Sequence, residues 1–560
     1  MTIPDWQQKA AAKQAEAAAK IPKEWRVSAS ILENLDNEQE VLTIPQRCGI
    51  LSPKELEITE TVDATTLRDK LAARELTAVE VTTAFCKRAA IAQQITSCLT
   101  ETMFPQALAR AKELDEYLQT TGKPMGPLHG VPISLKETFN VQGVHSSLGL
   151  VSFLDRPEAS HNSALVEILL AAGAVLYVKT NVPQTMMTAD SENNVFGRVL
   201  NPHRRNITAG GSSGGEGALI ALRGSLLGIG TDIAGSIRIP ALCCGTFGFK
   251  PSVGRVPYAG QASAARPGMA GIAPVAGPLC YSARDAELLL RVVMEAPVDD
   301  LDDNVLGFPW IEPAPLAAPT LTIGVLPEDP QVPLHPNMQR TLKTAVERLA
   351  AAGHRIVDLS GQIQCIKEAS DISFRFFRID PDQTQVKYVS SSGEPFIKSL
   401  RYTYNLKGDD PEPTLRDLFD LNVERAKVAA IMRRLYVENK LDVIIGPGNQ
   451  SCAGPHDTYG IPVYTVLANL VDYPACVIPF GKANEVADVE YVRDVAYIPP
   501  CKNFNCSYEP LRNPILTIID CPKEVENAPC HVQLIGRRLK DERLMQHAKI
   551  VESVLASKST

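Results

Sequence analysis

AGGSSGGEGA at 209–218 and GIGTDIAGSIRIP at 228–240 carry most of what this 560-residue chain discloses. The first run sets glycines at 210, 211, 214, 215 and 217 around Ser212 and Ser213, a backbone able to turn sharply and approach other groups. The second ends in a single Ser236 framed by Asp232 and Arg238. Taken alone, such loops are usually turns, so each chemical reading has to be weighed against that one. A phosphate loop needs a lysine that is missing after Gly214 and Gly215. A dinucleotide fingerprint needs G-x-G-x-x-G straight after a strand, and Gly228-Ile229-Gly230 continues differently. The nucleophile elbow G-x-S-x-G is matched twice, around Ser212 and around Ser213. That motif requires a buried strand before it and an acid and then a histidine after it. Residues 201–206 (NPHRRN) are no strand, and the late His531 and His547 have no supporting context.

Working outward, helices alternate with short apolar runs. Residues 163–172 read as an apolar helix stopped at Gly173, with a strand at 175–178. The grammar repeats as an amphipathic helix at 337–352, Gly353, and a strand at 355–357. Further buried strands fit 321–325, 441–445 and 476–479. Alternation of this kind predicts an α/β fold with a sheet covered on both faces. Residues 1–60 read as an N-terminal helical arm: an Ala-rich helix at 5–20, a polar stretch, then a capping box at Ser52 and Glu55 with Pro53 at the first helical position. A second box, Thr77 with Glu80, starts a helix through Val81, Ala84, Phe85 and Ala89 to about residue 93. The body is taken as 61–555, with a long Pro-rich acidic connection at 296–319 and loop-like segments at 450–462 and 496–515.

Composition narrows the function classes. A hydrophobic fraction of 45% and a charged fraction of 21% suit an ordinary globular enzyme. The net charge of -8 argues against nucleic acid, which calls for clustered Lys and Arg. Small basic groups such as Arg204-Arg205 and Arg537-Arg538 read as solvated faces. Thirteen cysteines, an odd number with no C-x-x-C pair, read as reduced thiols serving as small hydrophobes in an intracellular protein. Neither paired cysteines nor H-E-x-x-H supplies a metal set, so no metal and no organic cofactor are expected. Residues 5–20 carry charges throughout and no apolar signal core, the longest apolar stretch (164–178) holds Glu167 and is too short for a bilayer, and the last four residues are no peroxisomal address. The expectation is a soluble, cytoplasmic protein with no membrane partner.

The run from 210 to 240 closely resembles the amidase signature family, and the match as a whole looks most like its fungal acetamidases and general amidases. It reaches beyond the two Gly-rich runs, over about residues 50–555. LHGVPISLKE at 128–137 resembles the family's catalytic-lysine segment, KTNVPQ at 179–184 its next strand and loop, and VQLIGRR at 532–538 its C-terminal end. The resemblance implies the amidase-signature fold, a central mixed β-sheet covered by helices on both faces. It implies amide hydrolysis, with Ser236 as nucleophile, Ser212 as proton relay on a cis peptide, and Lys136 as terminal base. It assigns backbone N–H groups of Ile233, Ala234, Gly235 and Ser236 to the oxyanion hole, and gives Asp232, Arg238 and Ser213 supporting roles. Met186 would face the acyl pocket by the same analogy. Its partner would be a small-molecule amide, with a homodimer left open.

Those roles also make chemical sense. A serine hydroxyl needs a base to become a nucleophile, and no histidine lies in either Gly-rich run. Lys136 follows the apolar run from Val131 to Leu135, and burial pulls a lysine's pKa toward working pH. Successive N–H groups at a tight turn can converge on one developing oxyanion. Alanine at 234, where many relatives have glycine, would be strained if the turn required positive φ there. Other readings stay open: fatty-acid or aryl amide hydrolysis, tRNA-dependent amidotransfer, an esterase built on the elbow serines, or a catalytically silent binding protein.

Overall fold

The computed structural model describes residues 4–35, 41–60, 63–269, 271–315, 320–406, 411–494 and 522–557. Thirteen strands lie among them. β1 (Leu99–Thr102), β2 (Pro132–Lys136), β3 (Val175–Thr180), β4 (Glu192–Asn193), β5 (Gly197–Arg198) and β6 (Leu227–Asp232) fall in the first half. β7 (Phe247–Lys250), β8 (Val275–Cys280), β9 (Thr322–Val325), β10 (Arg355–Asp358), β11 (Val443–Gly446), β12 (Ala475–Lys482) and β13 (Pro529–Ile535) follow. Eleven of them form one sheet in the order β1-β3-β2-β6-β8-β7-β12-β13-β11-β9-β10, while β4 and β5 make a separate hairpin. The sheet is mixed. β3-β2-β6 and β11-β9-β10 run parallel, and the middle from β6 to β11 is antiparallel.

Every residue of β2, β3, β6 and β13 is buried, the condition of strands covered on both faces. Helices do the covering. Ala164–Ala171 leads through Gly173 into β3, and Pro336–Ala351 through Gly353 into β10, as the apolar periodicity predicts. Both expected capping boxes form. Thr77 and Glu80 bond reciprocally, and Ser52 N–H donates to Glu55 Oε2 at 2.8 Å while Glu55 N–H donates to Ser52 Oγ at 3.3 Å. The helix begun at Thr77 runs to Thr96, a turn beyond the expected end.

The N-terminal helix Asp5–Ala19 is mostly exposed and is tied to Glu101 by Lys13 (2.5 Å) and Lys20 (2.7 Å). Behind it Ile21, Trp25, Val27, Val41 and Ile44 enter the main hydrophobic core, with Trp25 edge-on to Phe104 at 5.4 Å. Segment 450–462 is loop up to 462, as expected, whereas 496–515 and residues 316–319 of the acidic connection lie outside the described residues. The ten cysteines among the described residues are all free thiols, nine of them buried. No helix among those residues is long and apolar enough to cross a membrane.

In register, Ser134 and Leu135 of β2 face Gly228 and Ile229 of β6, and Lys136 faces Thr180 of β3. Lys136, Thr180 and Asp232 therefore sit at the carboxyl ends of three neighbouring parallel strands. That edge is where open α/β sheets bind ligands.

Candidate active site

Lys136 is the last residue of β2 and is completely buried. Its Nζ lies 2.8 Å from Ser212 Oγ and 2.7 Å from Thr231 Oγ1. Burial brings its pKa down to about 7, against the opposing pull of the Asp232 and Glu216 carboxylates. A large share of this amine is therefore neutral at ordinary pH and able to take a proton. Glu216, also fully buried, accepts from Ser134 Oγ (2.6 Å) and Thr180 Oγ1 (2.9 Å), and burial pushes its carboxyl up to about 7. Gly228 is required beside it: a Cβ there would stand 2.1 Å from Glu216 Oε2.

Ser212 and Ser213 precede the helix Gly214–Ala221, and the peptide Gly211–Ser212 is cis. Ser213 Oγ lies 3.4 Å from the Thr231 N–H and 3.5 Å from its carbonyl oxygen, joining the two Gly-rich runs. No strand leads into Ser212; only isolated bridges at Leu200, Ile207 and Thr208 do. His531 lies buried in β13, where Nε2 accepts from Gly448 N–H at 3.0 Å, and burial takes its pKa down to about 3. The basic group that Ser212 meets is Lys136, so the elbow arrangement with a histidine base is not formed.

Ser236 sits on the turn between β6 and the helix Arg238–Cys244. Asp232 organises this turn by accepting Gly235 N–H at 2.8 Å and Ile237 N–H at 3.2 Å. Arg238 clasps the same carboxylate through Nε (3.0 Å) and Nη2 (3.1 Å), and reaches Thr465 O, Asn469 Oδ1 and Gln533 Oε1 at 2.8, 2.6 and 2.7 Å. Burial alone would raise the Asp232 pKa, but the Arg238 guanidinium outweighs it and holds the group down at about 2. Since Gly235 N–H is engaged by Asp232, the amides of the turn that Asp232 leaves alone are those of Ile233, Ala234 and Ser236. Positive φ falls on Gly235 (128°) and not on Ala234, so alanine at 234 carries no such strain.

Gly235 has no substitute. A Cβ would meet Thr465 Oγ1 at 2.2 Å and Ile239 Cδ1 at 2.9 Å, in a backbone conformation L-residues rarely adopt. Gly235→Ala is expected to lower stability by about 2–5 kcal/mol, combining backbone strain with overpacking, and to displace Ser236. Thermal or urea unfolding together with amide turnover checks this. Unfolding equal to the parent would mean that the turn can relax.

Ser236, 8% exposed, opens onto a cleft whose walls include Gly211, Ile233, Ala234, Met186 and Ile239. Phe374 and Phe377 join them from the helix Ile366–Phe377, and Asp457, Tyr459 and Pro462 from segment 450–462. The structure thus brings Lys136 to Ser212, and sets Ser236 in one cleft with Gly211, the residue before Ser212. Among the described residues no hydrogen bond joins the Ser236 hydroxyl to Ser212. Thr231 and Glu216 were given no role from the sequence. Both lie inside the quoted runs, where a buried polar residue in a Gly-rich setting was the available signal.

The Amidase family model matches residues 80–545. An amidase of Gibberella moniliformis is 37% identical over 98% of this chain and 99% of its own length. An acetamidase of Emericella nidulans is 36% identical over 99% of this chain and 98% of its own. Among solved structures, a fatty acid amide hydrolase superposes with a TM-score of 0.90 at 31% identity, covering 99% of this chain and 95% of that one. A bacterial aryl acylamidase shares the fold at a TM-score of 0.67 and 20% identity. With a family model spanning most of the chain and relatives matched end to end, the chain belongs to the Amidase family and is an amide-hydrolysing enzyme.

Proposed function

We propose that the enzyme hydrolyses carboxamides, R-CO-NH2, to carboxylate and ammonia through an acyl-enzyme on Ser236, with Ser212 and Lys136 completing a Ser-Ser-Lys triad. One observation carries the reading: a fully buried lysine, its pKa near 7, within 2.8 Å of Ser212 Oγ. Ser236 Oγ attacks the carbonyl carbon, its proton passes to Ser212 Oγ, and the Ser212 proton passes to Lys136 Nζ. The amides of Ile233, Ala234 and Ser236 receive the negative oxygen of the tetrahedral intermediate. The proton returns along the same path to the leaving nitrogen, and ammonia departs. Water then attacks the ester carbonyl by the reverse route, releasing the acid. Ser212 and Lys136 relay the proton in both halves, the nucleophilic electron pair coming first from Ser236 Oγ and then from water, with no metal or organic cofactor in the scheme.

A fluorophosphonate tests the nucleophile. Intact mass should rise by one adduct, and peptide mapping should locate it on Ser236. An adduct on Ser212 or Ser213 would move the nucleophile to the other Gly-rich run.

A further inference from the structure

Apart from the reacting groups, the cleft carries polar atoms that acyl transfer leaves unused. Asp457 and Asp190 line it together. Asp457 Oδ2 accepts from Arg198 Nη2 at 3.0 Å, and Asp190 Oδ2 accepts Asp457 N–H at 2.7 Å and faces Arg198 Nη1 at 3.3 Å. Glu192 binds the same guanidinium. His456, the other basic group at the cluster, has Nδ1 3.5 Å from Asp190 Oδ2 and Nε2 2.9 Å from Arg205 O. Among the described residues, the ion pairs here set three carboxylates, Asp190, Glu192 and Asp457, against Arg198 and His456.

Several atoms here have nothing to bind. Asp457 Oδ1 is enclosed and has no hydrogen-bond partner among the described residues. Ser399 lines the same cleft, is only 4% exposed, and has an equally unpartnered Oγ. Tyr459 Oη is the third such atom on these walls. A buried polar atom without a partner is unfavourable, and a native protein keeps one mainly where something else completes it. The remaining walls carry the apolar side chains of Met186, Ile239, Phe374 and Phe377, together with Thr188, Tyr402 and Thr403, whose hydroxyls already donate to the backbone carbonyls of Asp190, Asp457 and Met187. An apolar lining with a few convergent polar groups is the pattern of a small-molecule site, where the polar groups set orientation and specificity.

We infer that the acyl group of the preferred substrate ends in a positively charged hydrogen-bond donor, an ω-ammonium on an aliphatic stem, received by Asp457, Ser399 and Tyr459. The stem lies along the methionine and phenylalanine walls, and the excess of carboxylates rejects acyl groups that end in a negative charge. The inference rests on the carboxamide reading given above.

The test is kcat/KM at neutral pH for primary carboxamides with stems of three to six carbons, each made with an ω-amino, ω-hydroxy, ω-methyl or ω-carboxylate end. At the best-fitting length the ω-amino compound should exceed the ω-methyl one by about 10-fold or more, the scale of one charge-assisted hydrogen bond in a dry site. The ω-hydroxy compound should fall between them and the ω-carboxylate last. Asp457→Asn should collapse the amino-to-methyl ratio toward one, and Ser399→Ala should reduce it several-fold. Because the ratio is internal to each variant, a general loss of folded enzyme does not alter it, and the parent ratio decides even if a variant fails to fold. Turnover of all series with no ω-amino preference at any length would overturn this inference and leave amide hydrolysis standing. No turnover in any series would count against the carboxamide reading itself.

Discussion

Lys136→Ala is expected to lower kcat/KM for a primary amide by about 10²–10⁴-fold, the usual contribution of a positioned general acid–base group. Lys136→Arg should be equally poor despite keeping the charge, because a guanidinium does not deprotonate in a protein. In the parent, the amine must be neutral to accept a proton. With its pKa near 7, activity should fall as pH drops below about 7 and level off above it, instead of rising toward the usual lysine value of 10.5. Amide and ester substrates with the same acyl group separate the two halves of the task. An alkoxide departs without full protonation and an amine does not, so the variant should lose far less ester than amide turnover. Equal losses would deny Lys136 the delivery of a proton to the leaving group, and unchanged amide kinetics in Lys136→Ala would dismiss the triad.

Ser236→Ala should be more damaging still, on the order of 10⁶-fold in kcat, the scale seen when the nucleophile of a serine acyl-enzyme hydrolase is removed. It should also abolish the fluorophosphonate adduct. Ser212→Ala removes the hydroxyl that meets Lys136 at 2.8 Å but leaves the nucleophile in place. Its adduct should still form on Ser236, only slowly, with amide turnover down by about 10²–10⁴-fold. A Ser212→Ala enzyme that resists labelling altogether while Ser236→Ala still labels would reverse the two roles. Rapid-quench measurement of acyl accumulation on an ester substrate gives the same comparison independently.

What was legible in the sequence depended on distance along the chain. Helix starts at Ser52 and Thr77 and the helix-to-strand joints at Gly173 and Gly353 were readable because capping and chain reversal are decided within a few residues. Lys136, Ser212 and Ser236 were readable as motifs, in segments whose residue types are unusual enough to stand out. The cleft walls were not. Phe374, Ser399 and Asp457 come from three separate segments with no motif of their own, and only the folded sheet brings them to Ser236. The engagement of Gly235 N–H by Asp232 was equally hidden, since a carboxylate near a glycine in sequence says nothing of which amide it takes. Strand order escaped for the same reason. Nothing local tells β13, near the end of the chain, to insert between β12 and β11.

That insertion governs when the enzyme can first exist. Arg238, which clasps the carboxylate beneath Ser236, takes hydrogen bonds to Thr465 O and to Gln533 Oε1, residues that leave the ribosome some 230 and 295 positions later. Until residue 533 has emerged, a nascent chain holds Lys136, Ser212 and Ser236 but has neither the strand that joins β12 to β11 nor a complete set of partners for that guanidinium. A ribosome stalled before β13 should therefore display a chain that no fluorophosphonate labels, and one stalled beyond the final helix Asp541–Ala556, with linker enough to clear the tunnel, should label fully. Hydrolytic power would thus be switched on once β13 has joined the sheet, not accumulated as the chain lengthens.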